Sequence, residues 1–136
     1  MNSLFKDCEN LVPIDLHEGI SVSSSAFEGW TGLKEIVLPE KLEQDLPSFS
    51  GCTALKTIKL PKRMARRDGR GEMRMSFRDC ESLESIVLPI GLDRISRGAF
   101  ENCRKLRAVT LPDTIKEIKS SAFMGCSSLK KITFSN

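Results

Sequence analysis

The sequence predicts a repeat solenoid, and three observations carry that prediction. Six of the seven phenylalanines fall in one column, Phe5, Phe27, Phe49, Phe77, Phe100 and Phe123, at intervals of 22, 22, 28, 23 and 23 residues. All five cysteines fall in a second column three residues later, Cys8, Cys52, Cys80, Cys103 and Cys126, with Trp30 in the remaining unit. Leucine follows three residues on in every unit, at Leu11, Leu33, Leu55, Leu83, Leu106 and Leu129. Self-similarity at a fixed period marks units that cannot close a core alone and bury their apolar columns on one another. A period near 23 residues excludes helical repeats, which need 33 or more.

Each unit then continues in the same way. Ile14, Ile36, Ile58, Ile86, Val109 or Ile132 comes three residues after the leucine, and Leu16, Leu38, Leu60, Leu88, Leu111 or Phe134 two residues later. Apolar residues alternating at period two predict one short, half-buried strand per unit. Proline follows at once in four units, Pro39, Pro61, Pro89 and Pro112, with His17 and Ser135 in that place in the first and last. Proline removes a ladder donor and fixes φ, so each strand is expected to stop there. The connecting stretches carry sparse apolar marks, such as Leu92, Ile95 and Ala99, and predict turns or very short strands with little helix.

The chain of 136 residues is expected to form a single domain over 1–136, with 40% hydrophobic and 29% charged residues, too balanced for a disordered tail. No apolar run approaches the length of a spanning helix, and no basic, then apolar, leader opens the sequence, so neither membrane insertion nor a signal peptide is expected. A net charge of +3 implies no nucleic-acid or membrane partner by itself.

The order Leu-x-x-Ile-x-Leu-Pro, then Ile-x-x-Ile, Ala-Phe and Cys, resembles the BspA-like, or Treponema-type, leucine-rich repeat. The segment TLPDTIKEIKSSAFMGC, Thr110 to Cys126, is close to that family's consensus. The resemblance implies a leucine-rich-repeat solenoid of about six units of 22–28 residues, with one parallel strand per unit on the concave face. It implies a recognition or adhesion role on or outside the cell, and no reaction. Three features depart from the pattern: Trp30 in the Cys column, His17 and Ser135 in the Pro column, and the enlarged unit between Phe49 and Phe77.

The residues support no catalytic or metal chemistry. No two cysteines come within 22 residues of each other and the only histidine is His17, so zinc-ligand spacing is missing. Buried, reduced cysteine behaving as a small hydrophobe is the expected reading. Gly69 and Gly71 lack any phosphate-loop framework, Trp30 is expected to pack in the core, and the absence of tyrosine leaves few aromatic anchors. No cofactor and no enzyme activity are expected.

Two surfaces remain as binding candidates. Residues 62–76 form a basic insertion of 15 residues where other units have 9 or 10, carrying Lys62, Arg63, Arg66, Arg67, Arg70 and Arg74 against Asp68 and Glu72. Insertions in repeat proteins map to one face, and this one suits an anionic partner. The strands supply the second surface, where a mainly basic column, Val12, Lys34, Lys56, Glu84, Arg107 and Lys130, runs beside the outward residues Asp15, Val37, Lys59, Val87, Thr110 and Thr133.

The expected function is a non-enzymatic recognition or adhesion module of a surface or secreted protein, binding a protein or glycan through the concave face and the basic loop. The alternatives are a structural spacer or piece of a longer array, because the uncapped ends leave apolar surface for further units or self-association, and an intracellular, cytoplasmic interaction or anion-binding protein. Nucleic acid is not the expected partner.

Overall fold

The computed structural model describes residues 16, 22–41, 47–63 and 76–135. Five unit strands succeed one another: β1 (Glu35–Val37), β2 (Thr57–Lys59), β3 (Ser85–Val87), β5 (Ala108–Pro112) and β7 (Lys131–Ser135). The connecting stretches add β4 (Arg94–Ile95) and β6 (Glu117–Ile118), and none of the described residues is helical. All pairings are parallel and displaced by one repeat. Ile36 pairs with Ile58, Ile86 with Val109, Val109 with Ile132, and Ile95 with Ile118. The chain is therefore a solenoid of parallel strands with a second, two-stranded sheet on another side of the coil.

The apolar columns make the core. Phe27, Phe49, Phe77 and Phe100, the leucines Leu33, Leu55, Leu83 and Leu106, and Ile36, Ile86 and Val109 are all buried, as are Cys52, Cys80 and Cys103. The phenylalanine rings stack in one pile through Phe123, with centroids 5.3, 5.6, 5.4 and 5.3 Å apart and planes within 8° of parallel. Such pairs add about 0.5–1.5 kcal/mol each beyond the area they bury. Trp30 is fully buried and stacks on Phe27 at 6.0 Å, so the large ring fills the place of the thiol by packing.

A tight turn carries the chain from each phenylalanine to the strand. In the unit of Phe49, the Cys52 N–H donates to Phe49 and the Leu55 N–H to Cys52, at 3.1 and 3.2 Å. The residue two after the phenylalanine is left-handed in every described unit: Gly29, Gly51, Asp79, Asn102 and Gly125. Asp79 and Asn102 tolerate this conformation, and the Asn102 side-chain amide donates to Asp79 Oδ1 at 2.8 Å. At Gly125 a Cβ would lie 2.7 Å from Asn102 Oδ1, so both conformation and space require glycine.

The expectation that proline ends each strand holds for β1, β2 and β3 and fails for β5, which runs through Pro112. The reason is which neighbour Pro112 faces. Val109, Leu111 and Asp113 turn their peptide groups to β7, where the Asp113 N–H donates to Ser135 at 3.1 Å, so the donor Pro112 lacks belongs to the opposite side. Ser135, standing in the proline column of the last unit, extends the ladder and donates from Oγ to Leu111 O at 3.3 Å.

Candidate functional site

The strand face is the surface on which the repeat places variable side chains in register. The pattern of exposed, buried, exposed in β1 and β3 sends Ile36 and Ile86 inward and their neighbours to solvent. Val37 and Val87 are 60% and 62% exposed, an apolar pair on either side of Lys59.

The basic column is held by backbone. Each N–H donates to the carbonyl one unit earlier: Lys56 to Lys34 at 2.8 Å, Glu84 to Lys56 at 3.2 Å, Arg107 to Glu84 at 2.9 Å and Lys130 to Arg107 at 3.0 Å. Lys34, Lys56, Arg107 and Lys130 are exposed and share one row, with Lys59 beside it. Glu84 interrupts the row, because its Oε2 accepts from Arg107 Nη2 at 3.3 Å. That pair is solvated and adds little stability, but it removes Arg107 from the free positive surface. Arg63, the second residue of the basic insertion, bridges in parallel to Ile90. Arg66, Arg67, Arg70 and Arg74 lie outside the described residues, as do His17 and most of the first unit.

Three of the four described thiols, Cys52, Cys80 and Cys103, are held neutral, whereas the hydrogen bond with Cys103 lowers Cys126. Cys52, Cys80, Cys103 and Cys126 are all free, and each Sγ donates to the carbonyl of the preceding unit's phenylalanine at 3.0 or 3.1 Å. Burial pushes the Cys52 thiol up to about 12 and raises Cys80 further. Contact with the Cys126 sulfur and burial raise Cys103 as well. Neutral thiols of this kind are poor nucleophiles. Among the described residues no group of three metal-ligating side chains converges, and no helix is long and apolar enough to cross a membrane.

One feature of the strand face has no trace in the residue pattern. The parallel ladder is interrupted between β2 and β3. The strands are joined below by Glu84 N–H to Lys56 and above by Ile90 N–H to Lys62, the latter at 2.8 Å. Here lies an open slot of ≈ 460 Å³ that extends as far as Ser135 of β7, with Ile58, Leu60, Ile86, Leu88 and Ile90 in its walls and Lys59 and Lys62 at its rim. At the other junctions the leucine after the strand reaches across, Leu38 N–H to Lys59 and Leu88 N–H to Thr110, both at 2.9 Å. Leu60, only 7% exposed, finds no such acceptor among the described residues.

Comparison with known proteins follows the same lines as the geometry. The family model for the BspA type leucine rich repeat region matches six copies over residues 1–68 and 73–136. A leucine-rich cell surface protein from Faecalibacterium prausnitzii superposes with a TM-score of 0.78 at 26% identity, covering 91% of this chain and 32% of that one. A leucine-rich repeat protein of T. pallidum gives 0.67 at 34% identity, over 82% of this chain and 50% of its own. One from Bacteroides ovatus gives 0.71 at 28% identity, over 96% and 33%. The chain thus spans a third to a half of the length of these structures, and no match was found among curated proteins. Six matched copies, the one-repeat register of the strands and the stacked Phe and Cys columns agree: the chain belongs to the BspA-type leucine-rich repeat family.

Proposed function

We propose that the chain is a non-enzymatic recognition module that engages a macromolecular partner, a protein or a glycan, through its strand face. The observation that carries this reading is the row of exposed cations, Lys34, Lys56, Lys59 and Lys130, set in register beside the exposed Val37 and Val87 on a backbone lattice. Repeat solenoids bind through such extended faces because rigid stacking presents many side chains at no further ordering cost. The cell surface description of the F. prausnitzii protein supports a surface or secreted setting for this chain. The basic insertion, from Arg63 through Arg66, Arg67, Arg70 and Arg74, extends the same sign of charge and suits an anionic partner.

The test is capture on an array of purified extracellular-matrix proteins and sulfated glycans. Charge reversal of Lys34, Lys56 and Lys130 to glutamate should abolish capture while leaving the denaturation midpoint within about 1 kcal/mol of the parent, as surface substitutions do. Equal capture by the variant moves recognition off the strand face. Removing Arg66, Arg67 and Arg70 should shorten salt-sensitive retention on immobilised heparin, and unchanged retention removes the insertion from the site. Protease shaving of intact source cells tests the location, with release of Arg63 to Arg78 peptides before lysis as the expected result.

A second reading, a structural segment on which further units or a second copy stack, is favoured by the exposure of Ile132, Phe134 and Met124 in the last unit, at 43%, 57% and 52%. Concentration-dependent sedimentation that disappears in Phe134→Ser would support it.

A further inference from the structure

We propose that the slot between β2 and β3 is a specificity pocket for an acidic, extended peptide segment. The inference rests on the strand-face reading and names the part of that face which selects the partner.

Three observations converge on the slot. The first is backbone valence. Lys59 turns its carbonyl to β1, where it accepts from Leu38, and Leu88 turns its N–H to β5, where it donates to Thr110. Alternate residues of a parallel strand face opposite neighbours, so Ile58 and Leu60 on one wall and Ser85 and Val87 on the other direct peptide groups into the opening. No ladder pairs these walls, and the N–H of Leu60, a residue only 7% exposed, has no acceptor among the described residues. Buried N–H groups are rarely left unpaired in folded proteins, and a second polypeptide backbone is the partner that supplies carbonyl oxygens at the spacing of a strand.

The second observation is the wall itself. Ile58, Leu60, Ile86, Leu88 and Ile90 form an apolar lining, and ≈ 460 Å³ is room for side chains rather than for a few waters alone. An occupant therefore brings apolar groups as well as acceptors, which excludes a bare phosphate or sulfate as the best fit.

The third is charge. Lys56, Lys59, Lys62 and Arg63 follow the β2 side of the slot, all are exposed, and none of the four forms an ion pair among the described residues. Of the carboxylates nearby, Glu40 accepts from the Lys62 backbone N–H at 2.9 Å and Glu84, at the foot of the slot, from Arg107 at 3.3 Å. An occupant that alternates carboxylates with apolar side chains places the former on the lysines and the latter in the slot, using the period-two geometry of an extended chain.

The experiment uses the full chain and a fluorescein-labelled hexapeptide alternating aspartate with leucine, read by anisotropy, with lysine–leucine and aspartate–serine peptides as comparisons. The aspartate–leucine peptide should bind at least tenfold more tightly than either comparison. Lys59→Glu combined with Lys62→Glu should weaken it at least tenfold, whereas Arg97→Glu combined with Arg104→Glu should change it by less than about twofold, since those exposed residues lie in turns outside the strand face. Bound peptide should also slow hydrogen exchange at the Leu60 amide at least tenfold, a readout that surface attraction alone does not move. Equal binding of the aspartate–serine peptide, or unchanged Leu60 exchange, overturns the slot and reduces the surface to general anion attraction. Absence of peptide binding overturns it too. Capture on the matrix array that survives in the Lys59, Lys62 variant and is lost in the Lys34, Lys56, Lys130 variant would leave the strand-face reading standing without it.

Discussion

The two sides of the solenoid respond differently to the same insertion. On the side of the phenylalanines, the 28-residue step from Phe49 to Phe77 is crossed without a break. The rings stack at 5.6 Å, the Phe49 N–H donates to Ser76 at 2.8 Å, the Gly51 N–H donates to Arg78 at 2.8 Å, and Cys80 Sγ donates to Phe49 O at 3.1 Å. On the side of the strands, the same step separates β2 from β3 and interrupts the ladder. The columns of Phe and Cys therefore carry continuity of the stack, while the strand ladder has slack enough to open. Nearest-neighbour contacts dominate repeat arrays, and one well-packed column suffices to hold two units in line.

That contrast can be broken from its stronger side first. Phe77→Ala removes a fully buried ring from the middle of the pile at the very junction where the ladder is missing. A loss of about 3–5 kcal/mol is expected from urea denaturation, with the units before and after the junction melting separately. A single, unshifted transition would show that the columns do not carry the junction.

Alkaline titration probes the same side of the coil. Cys52 keeps its proton in the folded chain up to about 12, against a starting value of 9.0. The unfolded state therefore ionises first as pH rises, and stability is fully present below pH 9 and falls progressively from there towards pH 12. Urea midpoints measured from pH 8 to 11 should fall along this course, and Cys52→Ala should lessen the slope without removing it, because Cys80 and Cys103 are raised as well. An equal slope in the variant would assign the effect to other groups.

The turns give a smaller and more discriminating comparison. Alanine at Gly125 meets Asn102 Oδ1 at 2.7 Å, whereas alanine at Gly51, at the edge of the interrupted junction, meets Gly29 Cα at 3.4 Å. Both residues have positive φ, so each substitution costs about 1 kcal/mol from conformation alone. Gly125→Ala should cost more because it adds a clash, and equal losses would show that Asn102 moves aside freely. The smallest effect is a rate and needs no substitution. In the unliganded chain the Leu60 amide should exchange with solvent at least about tenfold faster than those of Leu38 and Leu88, measured residue by residue by NMR.

The contrast also separates what was legible in the sequence from what was not. Columns of identical residues encode the stack directly, because Phe, Cys and Leu each have one place in the unit and the same neighbours one repeat away. The solenoid, the inward Ile36 and Ile86, the packing of Trp30 and the outward Lys34 and Lys59 all follow from that. The slot does not, because Thr57–Leu60 and Ser85–Leu88 carry the same alternation as strands that do pair, and pairing depends on how the backbones meet. The length of the insertion was visible, but nothing in its residues says that the ladder opens beside it. Arg107 was read as part of a mainly basic column that includes Glu84, and only the 3.3 Å contact shows the two paired. The run of β5 through Pro112 was hidden for a related reason: which neighbour a proline faces is a property of the sheet and not of the residue.

The thiol-to-carbonyl bonds give the array a sense of time. Every one reaches back to a phenylalanine that left the ribosome earlier, Cys52 to Phe27, Cys80 to Phe49, Cys103 to Phe77 and Cys126 to Phe100. The amides of the same phenylalanines reach the other way, Phe77 to Ala99 and Phe100 to Ala122, both at 2.7 Å. A nascent chain thus latches each new turn on to a finished one through sulfur, and the finished one locks only when its successor arrives. Growth by one turn at a time leaves a single half-clasped unit at the growing tip, which keeps to a minimum the apolar surface shown to other nascent chains.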